Sequence, residues 1–178
     1  MRGAPPGRAT IAGETDPEEP DVPELNHGDL AIRSSAFDAH SPIPAEHAAD
    51  GENVSPPVSW SGVPAGAKEL VLIVHDPDAP LVDGFDHWVA TGIDPTSAGL
   101  GRGATDGFRA GKNSLGELGW TGMAPPPGHG VHHYFFHLFA IDVELGGPSE
   151  PTRAEVLRAI EGHVVEQARI VGTYVNEG

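Results

Sequence analysis

Three separate segments of the chain combine carboxylate, imidazole and phenol side chains with stiff turn residues. They are Asp76-Pro77-Asp78-Ala79-Pro80, Asp86-His87-Trp88 and Gly128-His129-Gly130-Val131-His132-His133-Tyr134. Each segment lies at the end of a predicted strand beside glycine or proline. Because proline holds φ nearly constant, the side chains are expected to converge on one rigid pocket. Such a pocket offers hydrogen-bond donors to a small anion, which favours binding over catalysis.

Nothing in these segments resembles an activated nucleophile. The chain has no Gly-x-Ser-x-Gly elbow, and no serine has an adjacent base evident from the sequence. Oxygen and nitrogen atoms that suit a metal are present on Asp76, Asp78, His87 and His132. However, no HExxH motif occurs, and His132 and His133 are expected to point to opposite faces of a strand. We therefore predict no catalytic residue, no metal and no cofactor; a hydrolase or metal-dependent enzyme is a distant alternative.

Several of these side chains also have ordinary structural explanations. Asp-Pro opens many turns, so Asp76 alone indicates little. His87 is predicted to share a strand face with Val89 and Thr91, as a hydrogen-bonded core histidine would. Trp88, on the opposite face, is predicted to belong to the core.

The segment that begins at His132 predicts a strand with two different faces. His132 and Tyr134 begin one face and apolar residues follow them, which places polar groups at the mouth of a pocket. His129 is expected to be exposed on its glycine-flanked turn. His137 and His163 are expected to be structural or surface residues.

Short strands between glycine and proline turns must position these groups. Glu69 to His75 is apolar on both faces and rich in Val, Ile and Leu, as a central, doubly covered strand would be. The glycine-rich connection 94–131 leads into the third segment and is predicted to be functional. The pattern favours an antiparallel β sandwich or barrel. The other predicted strands cover residues 30–34, 58–60, 87–93, 132–141 and 170–175.

One helix is predicted near the C-terminus. Thr152-Arg153-Ala154-Glu155 matches a capping box, in which the threonine hydroxyl and the glutamate satisfy free backbone N–H groups. Gly162 is expected to weaken this helix by about 1 kcal/mol relative to alanine. Apolar residues follow the capping box at helical spacing: Val156, Leu157, Ile160, Val164 and Ala168.

Composition and charge exclude several functional classes. The 178 residues suit one domain, the absence of cysteine excludes disulfides and thiolate metal sites, and the formal charge is −16. Such an acidic surface repels nucleic acid and anionic lipid, so neither a nucleic-acid partner nor stable membrane association is expected. The N-terminus lacks the apolar run of a signal peptide, which predicts a cytoplasmic protein. Low lysine content with many acids is consistent with a salt-rich cytoplasm.

The chain is predicted to consist of a tail and one domain. Residues 1–24 are rich in proline, glycine and acid and have almost no large apolar side chains, so they are predicted to be disordered. Residues 25–178 form the predicted domain. Its oligomeric state is left open by the sequence.

Taken together, these segments resemble the phosphatidylethanolamine-binding protein family, particularly its bacterial and archaeal Raf kinase inhibitor-like branch. The resemblance runs from about Leu25 to Val175. Each element alone is a weak signal, and their common order makes the resemblance specific. In that order, the elements are Asn53-Val54-Ser55-Pro56-Pro57 with Trp60, Asp76-Pro77-Asp78-Ala79-Pro80, His87-Trp88, Gly111-Lys112-Asn113, Pro125-Pro126-Pro127-Gly128 and Gly130-Val131-His132-His133-Tyr134.

The resemblance implies a large antiparallel sheet packed on a smaller one, with a rigid pocket for phosphate-like groups, including phospholipid headgroups. It implies non-catalytic binding of small anionic or phosphorylated ligands; the alternative is a modulator that inhibits a kinase or protease, as some relatives do. His133 replaces the arginine usual in the family, so any Asp–Arg pairing through Asp78 is expected to be lost or made pH-dependent. Carried over residue by residue, the resemblance implies a ligand site of Asp76, Asp78, His87, Pro126, Gly128, His132 and Tyr134.

Overall fold

A computed structural model describes residues 28–178, so the tail predicted at residues 1–24 lies outside the described residues. The described part contains a 3₁₀ turn at Ala45–His47 and one α-helix, α1, at Arg153–Ile160. Its strands, in chain order, are β1 (Ala31–Arg33), β2 (Val58–Ser61), β3 (Glu69–Asp76), β4 (Phe85–Ile93), β5 (Gly99–Leu100), β6 (Arg109–Ala110), β7 (His132–Ile141) and β8 (Val164–Tyr174).

The strands form two antiparallel sheets that enclose the larger core. The five-stranded sheet has the order β6-β4-β3-β7-β8, and the three-stranded sheet has the order β1-β2-β5. One apolar cluster joins side chains of both sheets, including Ile32 and Trp60 from the small sheet and Leu72 and Phe136 from the large one. The prediction of a mainly β, two-sheet fold with a helix near the C-terminus is therefore confirmed.

The central strand β3 is buried on both sides, as its sequence predicted. It pairs with β4 on one side and with β7 on the other. Leu70, Leu72 and Val74 face the core between the sheets, whereas Val71 and Ile73 belong to a second cluster under α1. Burial of each such side chain contributes about 1.5–3 kcal/mol to stability, so β3 is the main anchor of the fold.

The helix is shorter than the sequence predicted. Its capping box is present, since Glu155 Oε2 accepts a hydrogen bond from the Thr152 backbone N–H at 2.8 Å. The helix ends at Ile160, however, and the predicted helical positions Val164 and Ala168 lie on β8, paired with β7. The prediction was wrong because Gly162 takes a left-handed conformation, φ +78°, which ends a helix instead of merely weakening it.

The connection 94–131 is ordered over much of its length. It contains β5, which pairs with β2, and β6, which pairs with β4. The second half of the connection runs back along β4, where the Thr121 N–H donates to the His87 carbonyl at 2.9 Å. This return brings residues 121–126 to the end of the sheet where the three polar segments lie.

Replacement of Gly162 by alanine is expected to destabilise the fold. A β-carbon at φ +78° has space but must adopt a strained backbone, which costs about 1–2 kcal/mol and is partly offset by a less flexible unfolded chain. The net loss, about 1 kcal/mol, is measurable by urea unfolding. Gly66→Ala is the matched control, because that exposed turn glycine has open space and no positive φ. Equal stability of the two variants would contradict this account of how the helix ends.

Candidate functional site

The three polar segments meet at one end of the large sheet, around a cavity of about 330 Å³. Of the predicted site residues, Asp76, His87, Pro126 and His132 line this cavity. Its remaining wall is largely apolar, as is usual for a small-molecule site with a few polar groups that fix orientation. The sequence-based expectation that these distant segments converge is confirmed; ligand contact by the four residues stays a prediction.

Asp76 is buried, and both of its carboxylate oxygens have partners. Oδ1 accepts from the backbone N–H groups of Asp78 at 2.8 Å and Ala79 at 3.2 Å. Oδ2 accepts from Nδ1 of His132 at 2.7 Å. The buried charge is therefore compensated by three donors, and Asp76 fixes the orientation of the His132 ring.

His132 is held between two partners and is only 1 % exposed. Since Nδ1 donates to Asp76, the other ring nitrogen, Nε2, lies on the opposite side, 2.7 Å from Nδ1 of His129. A neutral His132 accepts a hydrogen bond from His129, whereas a protonated His132 donates one. His132 can therefore present either an acceptor or a donor at the cavity.

His129 is the neighbour that the sequence analysis missed. It was expected only to be exposed on its turn, and it is exposed, but its ring also contacts His132 with centroids 5.0 Å apart. The flanking Gly128 and Gly130 both have positive φ, +73° and +89°, which turns the chain back towards β7. The sequence signal for this contact was a histidine that is flanked on both sides by glycine and lies three residues before His132.

His87 lies on the opposite face of β4 from the one predicted. Val74 pairs with Trp88 and His75 pairs with Asp86, so His87 is the extra residue of a β-bulge. An extra residue shifts the in-and-out alternation of side chains by one position. The residues before the bulge therefore point to the face opposite to the one that strict alternation predicts. The expectation that His87 shares a face with Val89 is therefore wrong.

The His87 ring instead packs among aromatic residues at the cavity. Its centroid lies 4.7 Å from Phe85, 6.1 Å from Trp120 and 5.1 Å from Tyr134. Nδ1 is 2.8 Å from the carbonyl oxygen of Thr121. Burial lowers the pKa of His87 more than the Thr121 carbonyl and nearby carboxylates raise it, so the ring stays neutral.

Tyr134 is fully buried next to His87 and does not line the cavity itself. Its hydroxyl has no hydrogen-bond partner among the described residues. Burial, and secondarily the charge of Asp76, raise the pKa of Tyr134 well above its ordinary value, so the hydroxyl keeps its proton. A buried hydroxyl without a partner is costly, so Tyr134 carries an unmet hydrogen-bonding group behind the cavity wall.

Asp78 and Gly128 lie beside the cavity and not in its wall. Asp78 Oδ2 accepts from the backbone N–H and from Nδ1 of His133, at 2.8 and 2.7 Å. Partial burial raises the pKa of Asp78, but the His133 hydrogen bonds outweigh burial and lower it. The partner of Asp78 is thus the histidine found in place of the usual arginine, and this pair is ionic only while His133 is protonated.

Two asparagines attach the loop that carries Pro126 to the rest of the fold. The Asn53 side chain accepts from the Gly122 backbone N–H at 2.7 Å, and the Asn176 side chain donates to the Pro125 carbonyl at 3.1 Å. A β-carbon at Gly122 would come within 2.4 Å of the His47 carbonyl oxygen, so the loop packs directly on the backbone there. This wall of the cavity is therefore held in place.

Two further properties concern the described residues 28–178 as a whole. No group of three or more histidine, aspartate or glutamate side chains among them is placed to hold a metal ion. No helix in this part of the chain is long and apolar enough to cross a bilayer.

Comparisons with known proteins agree on one family. The model of the family described as phosphatidylethanolamine-binding protein matches residues 33–175. A UPF0098 protein from Methanothermobacter thermautotrophicus is 43 % identical over 151 residues, which cover 82 % of this chain and 98 % of the relative. A Mycobacterium tuberculosis protein named "Putative lipoprotein LppC" is 44 % identical over 147 residues, which cover 82 % of this chain and 72 % of the relative.

Solved structures give the same result. A phosphatidylethanolamine-binding protein homologue from Chlamydia trachomatis superimposes with a TM-score of 0.79 at 37 % identity, covering 84 % of this chain and 99 % of the other. Escherichia coli YbcL, described as a member of the mammalian family of that name, superimposes with a TM-score of 0.78 at 28 % identity, covering 83 % and 98 %.

Asp76→Asn is expected to disturb His132 and destabilise the protein. The amide Nδ2 would face the Nδ1–H of His132, so two donors would meet unless His132 moves its proton to Nε2. We expect that tautomer change, visible by ¹⁵N NMR of the ring, and a loss of about 1–3 kcal/mol in urea unfolding.

Asp142→Asn is the matched control for this variant. Asp142 pairs with His163 at 2.9 Å, but both side chains are about half exposed, so the loss should stay below about 0.5 kcal/mol. If Asp76→Asn changed stability no more than Asp142→Asn and left the His132 tautomer unchanged, the orienting role of Asp76 would be wrong.

Proposed function

Because this chain belongs to the phosphatidylethanolamine-binding protein family, we propose that it binds small anionic ligands, phosphorylated ones in particular, without transforming them. Membership of the family supports a ligand-binding or modulator role in general. The cavity lined by Asp76, His87, Pro126 and His132 is the proposed binding site.

The buried hydrogen bond between Asp76 and His132 carries this proposal. A carboxylate on Nδ1 stabilises the positive charge of an imidazolium and directs its Nε2–H outward. An oxyanion that displaces His129 would receive that charge-assisted hydrogen bond, which is stronger than a neutral one. The Asp78 carboxylate is held outside the cavity wall by His133, which limits repulsion of the anion.

The surroundings of His132 Nε2 support binding without chemistry. In Ser-His-Asp hydrolases the equivalent nitrogen faces the hydroxyl nucleophile. Here Nε2 faces Nδ1 of His129, and an imidazole at that position is a hydrogen-bond partner of the ring. The chain also has no cysteine to act as a thiolate nucleophile.

Calorimetric titration with inorganic phosphate tests the proposal. Affinity is expected to rise by about tenfold between about pH 7.5 and about pH 5.5, because protonation of an imidazole favours an anion. His132→Ala should remove most of the binding, whereas His163→Ala, at an exposed histidine of the α1–β8 turn, should not. If neither phosphate nor phosphoethanolamine binds at either pH, the proposed function is wrong.

A second candidate function, modulation of a kinase or protease, is favoured by the apolar rim of the cavity. Leu81 and Leu115 line the cavity and are 58 % and 59 % exposed, and the neighbouring Val82 is fully exposed. Grouped apolar side chains of this size at a cavity mouth are typical of a contact surface for a partner.

Affinity capture with the double variant Leu81→Ser, Leu115→Ser tests this second function. If the rim binds a partner, the variant should lose it while phosphate binding stays within about twofold, since the polar wall is unchanged. Val165→Ser, at an exposed apolar residue of β8, serves as the control. If the unmodified protein, the double variant and Val165→Ser all captured the same kinase or protease, the rim would be excluded as the contact surface.

A further inference from the structure

A side chain of the same protein covers the nitrogen of His132 that Asp76 leaves free. Asp76 binds Nδ1 of His132, and Nε2 lies 2.7 Å from Nδ1 of His129. His132 is almost fully buried although it lines the cavity, because the His129 ring lies against it. A ligand can therefore make a hydrogen bond with Nε2 only after the His129 ring has moved away.

His129 itself is attached to the fold at few points. Its ring lies at the surface, and within residues 28–178 the contact with His132 is the one hydrogen bond that its side chain makes. The backbone N–H of His129 donates to the Pro126 carbonyl at 3.1 Å, which fixes the start of the turn and leaves the ring unattached. One hydrogen bond is a weak attachment for an exposed side chain, because water can replace it.

The glycines on both sides of His129 allow this side chain to move. Gly128 and Gly130 have φ of +73° and +89°, and a β-carbon at either position would meet open space. Glycine can change φ there at little steric cost, because no neighbouring atom restrains it. The preceding loop differs, since a β-carbon at Gly122 would come within 2.4 Å of backbone atoms. The points of rotation therefore flank His129, as hinges flank a moving segment.

The contact between the two histidines forms in both charge states of His132. When both rings are neutral, Nε2 of His132 accepts from the Nδ1–H of His129. When His132 is protonated, its Nε2–H donates to the lone pair on Nδ1 of a neutral His129. His129 therefore competes with a ligand for this nitrogen in either state.

We infer that residues 128–130 form an autoinhibitory lid: the His129 imidazole covers Nε2 of His132 in the free protein and swings out on Gly128 and Gly130 when a ligand binds. This inference rests on the proposed function. An anion opposite a protonated His132 makes a hydrogen bond between two charged groups, which is stronger than the one to a neutral His129, so the ligand opens the lid. The lid lowers the apparent affinity, because only the open fraction of the molecules can bind.

Calorimetric titration of full-length variants with inorganic phosphate at about pH 5.5 tests the lid. His129→Ala removes the competing ring, so the affinity should rise by about threefold to tenfold, the factor expected for one hydrogen bond. His129→Asn should stay within about twofold of the unmodified protein, because its amide offers a donor and an acceptor in place of the ring nitrogen. His163→Ala is the matched control, since this exposed histidine also makes one side-chain hydrogen bond, to Asp142, and its loss should leave the affinity unchanged.

Chemical modification by diethylpyrocarbonate gives a second measurement that needs no ligand. The reagent acylates an accessible, neutral imidazole nitrogen, so His132 should react slowly in the unmodified protein while the lid is closed. His129→Ala should raise the modification rate of His132 by about threefold or more, because the rate follows the open fraction. His163→Ala should leave this rate unchanged. Mass spectrometry of the peptide that contains His132 measures the rate.

The outcomes separate the lid from the proposed function. If His129→Ala bound phosphate no more tightly than the unmodified protein, or left the reactivity of His132 unchanged, the lid would be wrong and anion binding would stand. If His129→Asn bound as tightly as His129→Ala, the hydrogen bond would not hold the lid closed, and the inference would be overturned. If no variant bound phosphate while His129→Ala still exposed His132 to the reagent, the proposed function would be wrong and the cover over His132 would stand.

Discussion

The hydrogen bond between Asp76 and His132 is the constraint on which the rest of the site depends. It joins the last residue of β3 to the first residue of β7 across 2.7 Å, at a position that excludes solvent. A carboxylate buried in this way is tolerated only with several donors, and the backbone N–H groups of Asp78 and Ala79 supply the others. These contacts determine the turn after β3, the tautomer of His132 and the direction of its free nitrogen.

The sheet order explains why distant segments reach the same place. β3 lies between β4 and β7 and is antiparallel to both, so the end of β3 meets the beginnings of the two neighbours. Asp76 is opposite Phe85 in one pairing, and His75 is opposite Phe135 in the other. Since β3 is also the most completely buried strand, the polar groups at its end are attached to the stiffest part of the molecule.

Much of this arrangement could be predicted because strand cores and turn residues are local signals. The apolar run from Glu69 and the alternating run from His132 to Ile141 gave the two central strands. The end of the helix was missed because Val164 and Ala168 fit a helical repeat and a strand repeat equally well, and pairing with β7 decides between them. The face of His87 was missed for a related reason, because a bulge is a property of the pairing with β3.

The site histidines show the same division between local and long-range information. That His132 and Tyr134 share a face follows from strand alternation. Both are buried, and only His132 lines the cavity, so Tyr134 does not lie at the mouth that the pattern predicted. The contact between His129 and His132 depends on a turn with two left-handed glycines, whose path the sequence does not specify.

The bulge in β4 also places an acidic and a neutral side chain on opposite sides of the sheet. Asp86 faces the helix side, where His75 and Arg153 compensate it at 2.7 and 3.6 Å, while the next residue, His87, faces the cavity. If the bulge were lost with Val74 still opposite Trp88, His87 would fall opposite His75 and Asp86 opposite Asp76. An acidic group would then lie at the cavity in a chain whose net charge is already −16. The extra residue within β4 thus sets the local electrostatic potential of the site.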